Sequence, residues 1–192
     1  NIPWFAFAKM AKFFSVALLH VIVSSFLITF SLCQPLHLIT SCLIDHHITN
    51  FSLHPTTPNQ SNSTSYNNLL LFSLQNLRFT DPKYPKPSLI ILPQSKEQLV
   101  DGFLCSKHAG FEARIRCGGH SYEGLSSTSN DGKPFLIIDL MDLDQVVVDL
   151  KSETAWVEGG ATLGNVYLTV AEKTGGEYGF SGGTCPTIGS GV

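Results

Sequence analysis

Two glycine-rich turns each carry one side chain able to attack an electron-poor carbon. In Arg116-Cys117-Gly118-Gly119-His120-Ser121-Tyr122-Glu123-Gly124-Leu125 it is the imidazole of His120, whose neutral nitrogen is a nucleophile. In Ser181-Gly182-Gly183-Thr184-Cys185-Pro186-Thr187-Ile188-Gly189-Ser190-Gly191 it is the sulfur of Cys185, nucleophilic as the thiolate. Gly118 and Gly119 lack β-carbons, so consecutive amides can turn toward an anion and let a pyrophosphate come close. An imidazole at the lip of such a loop can attack the activated 8-methyl group of a flavin, and a thiolate among small neighbours can add to the flavin's ring carbon six. Each residue also has a plainer reading. His120 could be a hydrogen-bonded loop side chain or a metal ligand, and Cys185 an inert thiol or the disulfide partner of Cys117. Zinc is disfavoured: Cys117, His120 and Cys185 offer three ligands without a second close-spaced pair, and the adjacent His46 and His47 project differently.

The elements around these turns follow from local signals. A short apolar strand over 88–92 is stopped by Pro93, and Ser95 with Gln98 forms a capping box for a helix. Leu99, Val100, Phe103 and Leu104 recur at helical spacing, and Gly110 is placed to end that helix. A strand over 112–116 then delivers the chain into the first glycine turn. Asn130-Asp131-Gly132 marks a turn, followed by β-rich runs over 135–139, 145–150 and 154–158. A helix over 163–173 is capped by Thr162 in front and Gly175 behind. The class is therefore α+β. No Gly-x-Gly-x-x-Gly follows a strand, so a dinucleotide-binding Rossmann domain is not supported. Trp156 is expected in the core, Glu123 in a structural role, and Asp139, Asp142 and Asp144 in turns and caps.

Upstream, residues 34–85 read as a polar, irregular lead-in with one short helix, and the ordered domain is expected from Lys86 onward. Met10, Lys12 and the apolar run 13–32 read as a secretory signal peptide cleaved near Cys33 or Gln34, with residues 1–9 as leader; an uncleaved membrane anchor is the alternative. The sequons at Asn50, Asn59 and Asn62 fit a glycosylated product of the secretory pathway, destined for the exterior, the cell wall or the vacuole. Opening on Asn1 and stopping at Val192 inside a glycine loop, the chain reads as cut at both ends. A net charge of −3 with only 14% charged residues leaves no basic stripe, so nucleic acid is not an expected partner. An oxidising compartment permits a disulfide, and Cys42 with Cys105 is the pair of choice, closing a long loop worth about 4 kcal/mol on the chain-entropy model. Two separate buried thiols are the alternative.

From Leu38 to Gly191 the chain resembles the N-terminal half of the plant berberine bridge enzyme-like oxidases. The resemblance is carried by the early and helical cysteines, the Gly-Gly-His-x-Tyr-Glu-Gly loop and the Gly-Gly-x-Cys-Pro-Thr-Ile-Gly loop, in that order. It implies an FAD-binding domain of the p-cresol methylhydroxylase type, a Cys42–Cys105 disulfide, and FAD attached through both His120 and Cys185. It also implies a cofactor-contacting set of Arg116, Cys117, Gly118, Gly119, His120, Ser121, Tyr122, Gly183, Cys185 and Gly189. Tyr122 would support substrate or a catalytic base. The implied reaction is hydride transfer from an alcohol, sugar or alkaloid to the flavin, with reoxidation by dioxygen or another acceptor. Two bonds would orient the ring and favour its reduction, the protein supplying geometry and electronics. The chain departs from the family pattern at Cys117, where Ser is usual, at Ser121, where Asp is common, and at Val192, where Gly is expected. The substrate-selecting domain is expected outside these residues. Two other outcomes stay open: a secreted glycoprotein that binds without turnover, and an enzyme with a single flavin bond through His120.

Overall fold

The computed structural model describes residues 35–57 and 63–191. The expected leader and signal peptide, and the sequon asparagines Asn59 and Asn62, lie outside them. By its contacts the chain divides between Leu38 and Ile39, and the unit from Ile39 onward carries everything that follows. Among the described residues no helix is long and apolar enough to cross a membrane.

A helix, α1, covers 35–45, followed by β1 (Phe51–Leu53), α2 (Ser63–Phe72) and a short 3-10 turn (Leu77–Thr80). Then come β2 (Leu89–Ile91), α3 (Lys96–His108), β3 (Glu112–Arg116) and β4 (Phe135–Asp139). The last elements are β5 (Val146–Asp149), β6 (Thr154–Val157) and α4 (Leu163–Thr174). Four strands form one sheet in the order β1-β2-β4-β3, with β1 antiparallel to β2, and β4 parallel to both β2 and β3. β5 and β6 pair antiparallel as a separate ribbon. Helices and strands are thus mixed, as the α+β expectation has it, and β4 is inserted between the two strands that α3 connects.

β2 and β4 are buried along their whole length, which is why β2 and the first four residues of β4 are apolar, while the last, Asp139, is charged. Successive side chains leave opposite faces of the sheet. On one face Ile90, Phe135 and Ile137 pack with Tyr66 and Leu70 of α2. The Tyr66 hydroxyl donates to the Pro87 carbonyl at 2.6 Å, and burial pushes its pKa up. On the other face Ile91 meets α3 at Gly102, where an added β-carbon would lie 3.8 Å from both Ile91 and Ile48.

Two expectations need correction. Residues 39–85 are not an irregular lead-in: Ile39, Leu43, Ile48, Tyr66, Leu70 and Leu74 are buried, and β1 forms an edge of the sheet. The segment supplies α2, which covers the face of the sheet opposite α3. The helix expected from the spacing of Leu99, Val100, Phe103 and Leu104 is present as α3, which exposes Val100, Phe103 and Leu104 and buries Gly102, Cys105 and Ser106. Small residues there allow close approach to the sheet. Trp156 is not in the core but 81% exposed, because the β5–β6 ribbon is outside the four-stranded sheet that forms the core.

Local signals elsewhere match the observed elements. The Ser95 hydroxyl accepts from the Gln98 amide at 3.2 Å, whereas the Gln98 side chain accepts from the amide of Gln94 rather than that of Ser95. Gly110 is left-handed just past α3, and Gly175 caps α4 in the same conformation. Cys42 and Cys105 form a disulfide with their α-carbons 5.7 Å apart, tying α1 to α3. His46, close to that pair, has its Nδ1 3.2 Å from the Asp101 carboxylate.

Candidate functional site

The first glycine turn is anchored by the residue that precedes it. Arg116, the last residue of β3, is fully buried, and its guanidinium meets Asp139 on the adjacent strand at 2.6 and 2.7 Å. The remaining donors reach the carbonyls of Leu69 and Leu70 near the end of α2, at 2.7 and 3.0 Å. These carbonyls belong to the last turn of a helix, where they lack intrahelical partners and favour a cation. Arg116 therefore clamps α2 to the end of the sheet, its side chain fully occupied there. Asp139 also accepts from the Met141 amide at 3.0 Å, turning the chain after β4. Asp142 and Asp144 accept from Asn50 at 3.0 Å and Asn165 at 3.5 Å, so Asp139 bonds a turn amide as expected while these two make crosslinks to distant side chains.

Beyond Arg116 the turn requires its glycines. Gly119 has φ +69° and lies so close to the Ser73 carbonyl that a β-carbon could not be placed there. At Gly118 a β-carbon would meet the amide nitrogen of Gly189 and lie 2.8 Å from the Thr187 carbonyl. Farther along, Gly124 is left-handed over the Phe79 ring, and Thr128 donates to Pro85 at 3.0 Å. The amides of Gly119, His120 and Ser121 have no hydrogen-bond acceptor among the described residues, although Gly119 is buried.

The second turn is docked on the start of α4. The amides of Leu163 and Gly164, free in a helix first turn, donate to Ile188 and Pro186 carbonyls at 2.9 Å each. The Ser190 amide donates to Ala161 at 2.8 Å, and its hydroxyl to Glu158 at 3.1 Å. Thr162 caps the helix and bridges to Gly189. Gly183 accepts from the Tyr167 hydroxyl at 2.5 Å. This docking uses the amides that would otherwise make the N-terminus of α4 an anion site.

The two turns meet at Gly118 and Gly189, and the meeting brings His120 and Cys185 together. His120 Nε2 lies 3.0 Å from the Thr187 hydroxyl, and Cys185 Sγ lies 3.4 Å from that same oxygen. The two nucleophilic atoms are therefore no farther apart than these two contacts laid end to end. Thr187 had been read only as part of the second turn; its signal was a hydroxyl two residues past a reactive cysteine. The thiols flanking the junction differ. The hydrogen bond with the Thr187 hydroxyl, and after it the backbone that follows, holds the exposed Cys185 thiol below its ordinary pKa, while the Ile188 amide donates to the Cys185 carbonyl at 3.4 Å. Burial pushes the Cys117 thiol up, with the Asp139 charge adding to it. Both thiols are free.

His120 and Tyr122 also line a cleft of about 440 Å³ with Gln75, Asn76, Leu77 and Arg78. Tyr122 is 87% exposed, and its carbonyl accepts from the Asn76 side chain at 3.0 Å. The 75–78 segment was missed in the sequence because it is placed beside His120 only by the 3-10 turn. Two nucleophiles joined through one hydroxyl, one of them, His120, lining the cleft, with unpaired amides in the adjoining glycine turn, fit an electron-poor ring attached to a phosphate chain. Chain segments 118–121 and 183–189 would hold it.

The profile described as "FAD binding domain" matches residues 87–192. Berberine bridge enzyme-like D-1 of Nicotiana tabacum is 50% identical over 189 residues, covering 95% of this chain and 33% of the relative. Reticuline oxidase of Papaver somniferum is 45% identical over 155 residues, covering 81% of this chain and 28% of the relative. The solved structure of berberine bridge enzyme from Eschscholzia californica superposes with a TM-score of 0.72 at 43% identity, covering 79% of this chain and 29% of that one. The chain thus spans about a third or less of the length of these relatives.

Proposed function

The chain belongs to the FAD binding domain family, among the berberine bridge enzyme-like proteins, and from that premise we propose that the full-length protein is an oxidoreductase carrying FAD on both His120 and Cys185. The observation that supports this most is the convergence of His120 Nε2 and Cys185 Sγ on the one hydroxyl of Thr187. A chain that used either residue alone would have no need to bring the two turns into backbone contact through Gly118 and Gly189.

FAD, when bound, supplies the hydride acceptor for an activated C–H of an alcohol, carbohydrate or alkaloid and passes the electrons to dioxygen or another acceptor. The residues of this chain hold and orient it. The Gly118–Gly119 turn brings its amides to the pyrophosphate, His120 and Cys185 fix the ring at two points, and Tyr122 stands at the cleft where substrate enters. In our reading the protein passes through the secretory pathway and is glycosylated at Asn50, Asn59 and Asn62. Among these Asn50 is half-buried and gives its side-chain amide to Asp142.

The test is acid precipitation of the purified full-length protein followed by mass mapping of flavin-bearing peptides. We expect the yellow colour to stay with the pellet and flavin mass on both the His120 and Cys185 peptides. Flavin released wholly into the supernatant would overturn covalent attachment, and a colourless protein would overturn the oxidoreductase reading itself.

A further inference from the structure

We propose that Thr187 is a positioning residue whose single hydroxyl couples the ring tautomer of His120 to the proton of Cys185 and orients both as nucleophiles. This rests on the two-point attachment described above and goes beyond it in naming what prepares the two nucleophiles.

The argument is one of proton counting. A threonine hydroxyl has one proton to give and lone pairs to accept with. Standing 3.0 Å from His120 Nε2 and 3.4 Å from Cys185 Sγ, it links them into a chain that runs in one of two directions. In the first, Nε2–H donates to the Thr187 oxygen and the Thr187 hydroxyl donates to a Cys185 thiolate. Nδ1 then carries the free lone pair of a neutral imidazole, and the thiol proton has left to solvent, to which the sulfur is open. In the second, a protonated Cys185 donates to Thr187 and Thr187 donates to Nε2, which places the imidazole proton on Nδ1. That direction blocks both nucleophiles at once.

The surroundings select the first direction. The donors about the thiol, the Thr187 hydroxyl first and then the Thr187 amide, favour a sulfur that accepts, while the Ile188 amide is given to the Cys185 carbonyl at 3.4 Å. The sulfur is fully exposed, so its charge carries little desolvation cost. Cys117, in the other turn, has no such donors and is half-buried beside Asp139, so it is the inert thiol of the two. Pro186, between Cys185 and Thr187, gives its carbonyl to the Gly164 amide at 2.9 Å, which fixes the spacing of sulfur and hydroxyl against α4.

The experiment uses the full chain prepared without flavin, in wild-type, Thr187→Val and Thr187→Ser forms. Iodoacetamide labelling is followed across pH by mass spectrometry of the separate Cys185 and Cys117 peptides. Valine keeps the shape and removes the hydroxyl; serine restores it. We expect Thr187→Val to move the Cys185 labelling profile to higher pH, slowing reaction near neutrality by about tenfold for a shift of one pKa unit. Thr187→Ser should retain the wild-type profile, and Cys117 should be unchanged in all three. A Cys185 profile that superimposes on wild type in Thr187→Val, a serine variant that behaves like valine, or an equal shift at Cys117 would each overturn the proposal. Because no flavin is present, a protein that never acquires flavin defeats the oxidoreductase reading and leaves this measurement decisive for Thr187.

Discussion

The two glycine turns reach the same point by different supports. The first grows out of the core: its preceding residue Arg116 is fully buried against Asp139, Gly119 is pressed on the Ser73 carbonyl, and Gly124 lies under Phe79. The second is exposed from Ser181 through Ile188 and is held by hydrogen bonds to the start of α4 and by contact with the first turn. His120 therefore inherits the rigidity of the sheet, whereas Cys185 has only that of a capped helix end. A ligand gripped at both points is fixed to a rigid side and an adjustable one. The adjustable side is also the one whose thiol is kept reactive.

Asp139→Ala should have the largest effect, because it leaves the Arg116 guanidinium buried without its counter-charge. A loss of about 3–5 kcal/mol of folding stability is expected, read by urea unfolding. A loss under about 1 kcal/mol would mean that the first turn is not rooted in this pair.

Gly189→Ala attacks the junction itself, since a β-carbon there would lie 2.6 Å from the Gly118 amide nitrogen and 2.7 Å from Cys117 Cβ. We expect about 1–3 kcal/mol of strain, relieved by the second turn lifting away. Flavin mass should then persist on the His120 peptide and fall on the Cys185 peptide. Equal loss from both would erase the distinction between a rigid and an adjustable side.

Thr162→Ala sharpens the comparison at the lowest cost. Its hydroxyl accepts from the Asn165 amide at 3.3 Å, and losing the cap should cost about 1 kcal/mol. Hydrogen exchange should quicken at the first turn of α4 and at the amides of Ile188 and Ser190, while β2 and β4 keep their protection. Uniform quickening across the sheet would contradict the separate supports.

Much of the frame was legible because its signals are local. Thr162, Ser95, Gly110 and Gly175 mark helix ends through their own hydrogen bonds and backbone angles, and they sit where those signals place them. The strand runs at 112–116 and 135–139 coincide with β3 and β4. The errors lie where burial depends on partners far along the chain. The spacing of Val100, Phe103 and Leu104 is helical whichever side faces inward, and the inward side was decided by Gly102 fitting against Ile91 and Ile48. Trp156 is apolar enough for any core, but its ribbon pairs only with itself. The segment from Ile39 buries Ile39, Leu43, Ile48, Tyr66, Leu70 and Leu74 while Ile44, Leu71, Phe72 and Leu77 are exposed, a division that its composition does not reveal.

The residue types of the site, its glycines and the order of its two turns were determined by the sequence alone, since each follows from what a side chain, or the lack of one, permits nearby. Only the tertiary structure decided that Arg116 clamps α2, that Cys117 is half-buried where Cys185 is exposed, and that Thr187, 67 residues after His120, joins it to Cys185. Those outcomes depend on burial and on distances across the fold, and neither quantity exists until the sheet and α4 have set the two turns against each other.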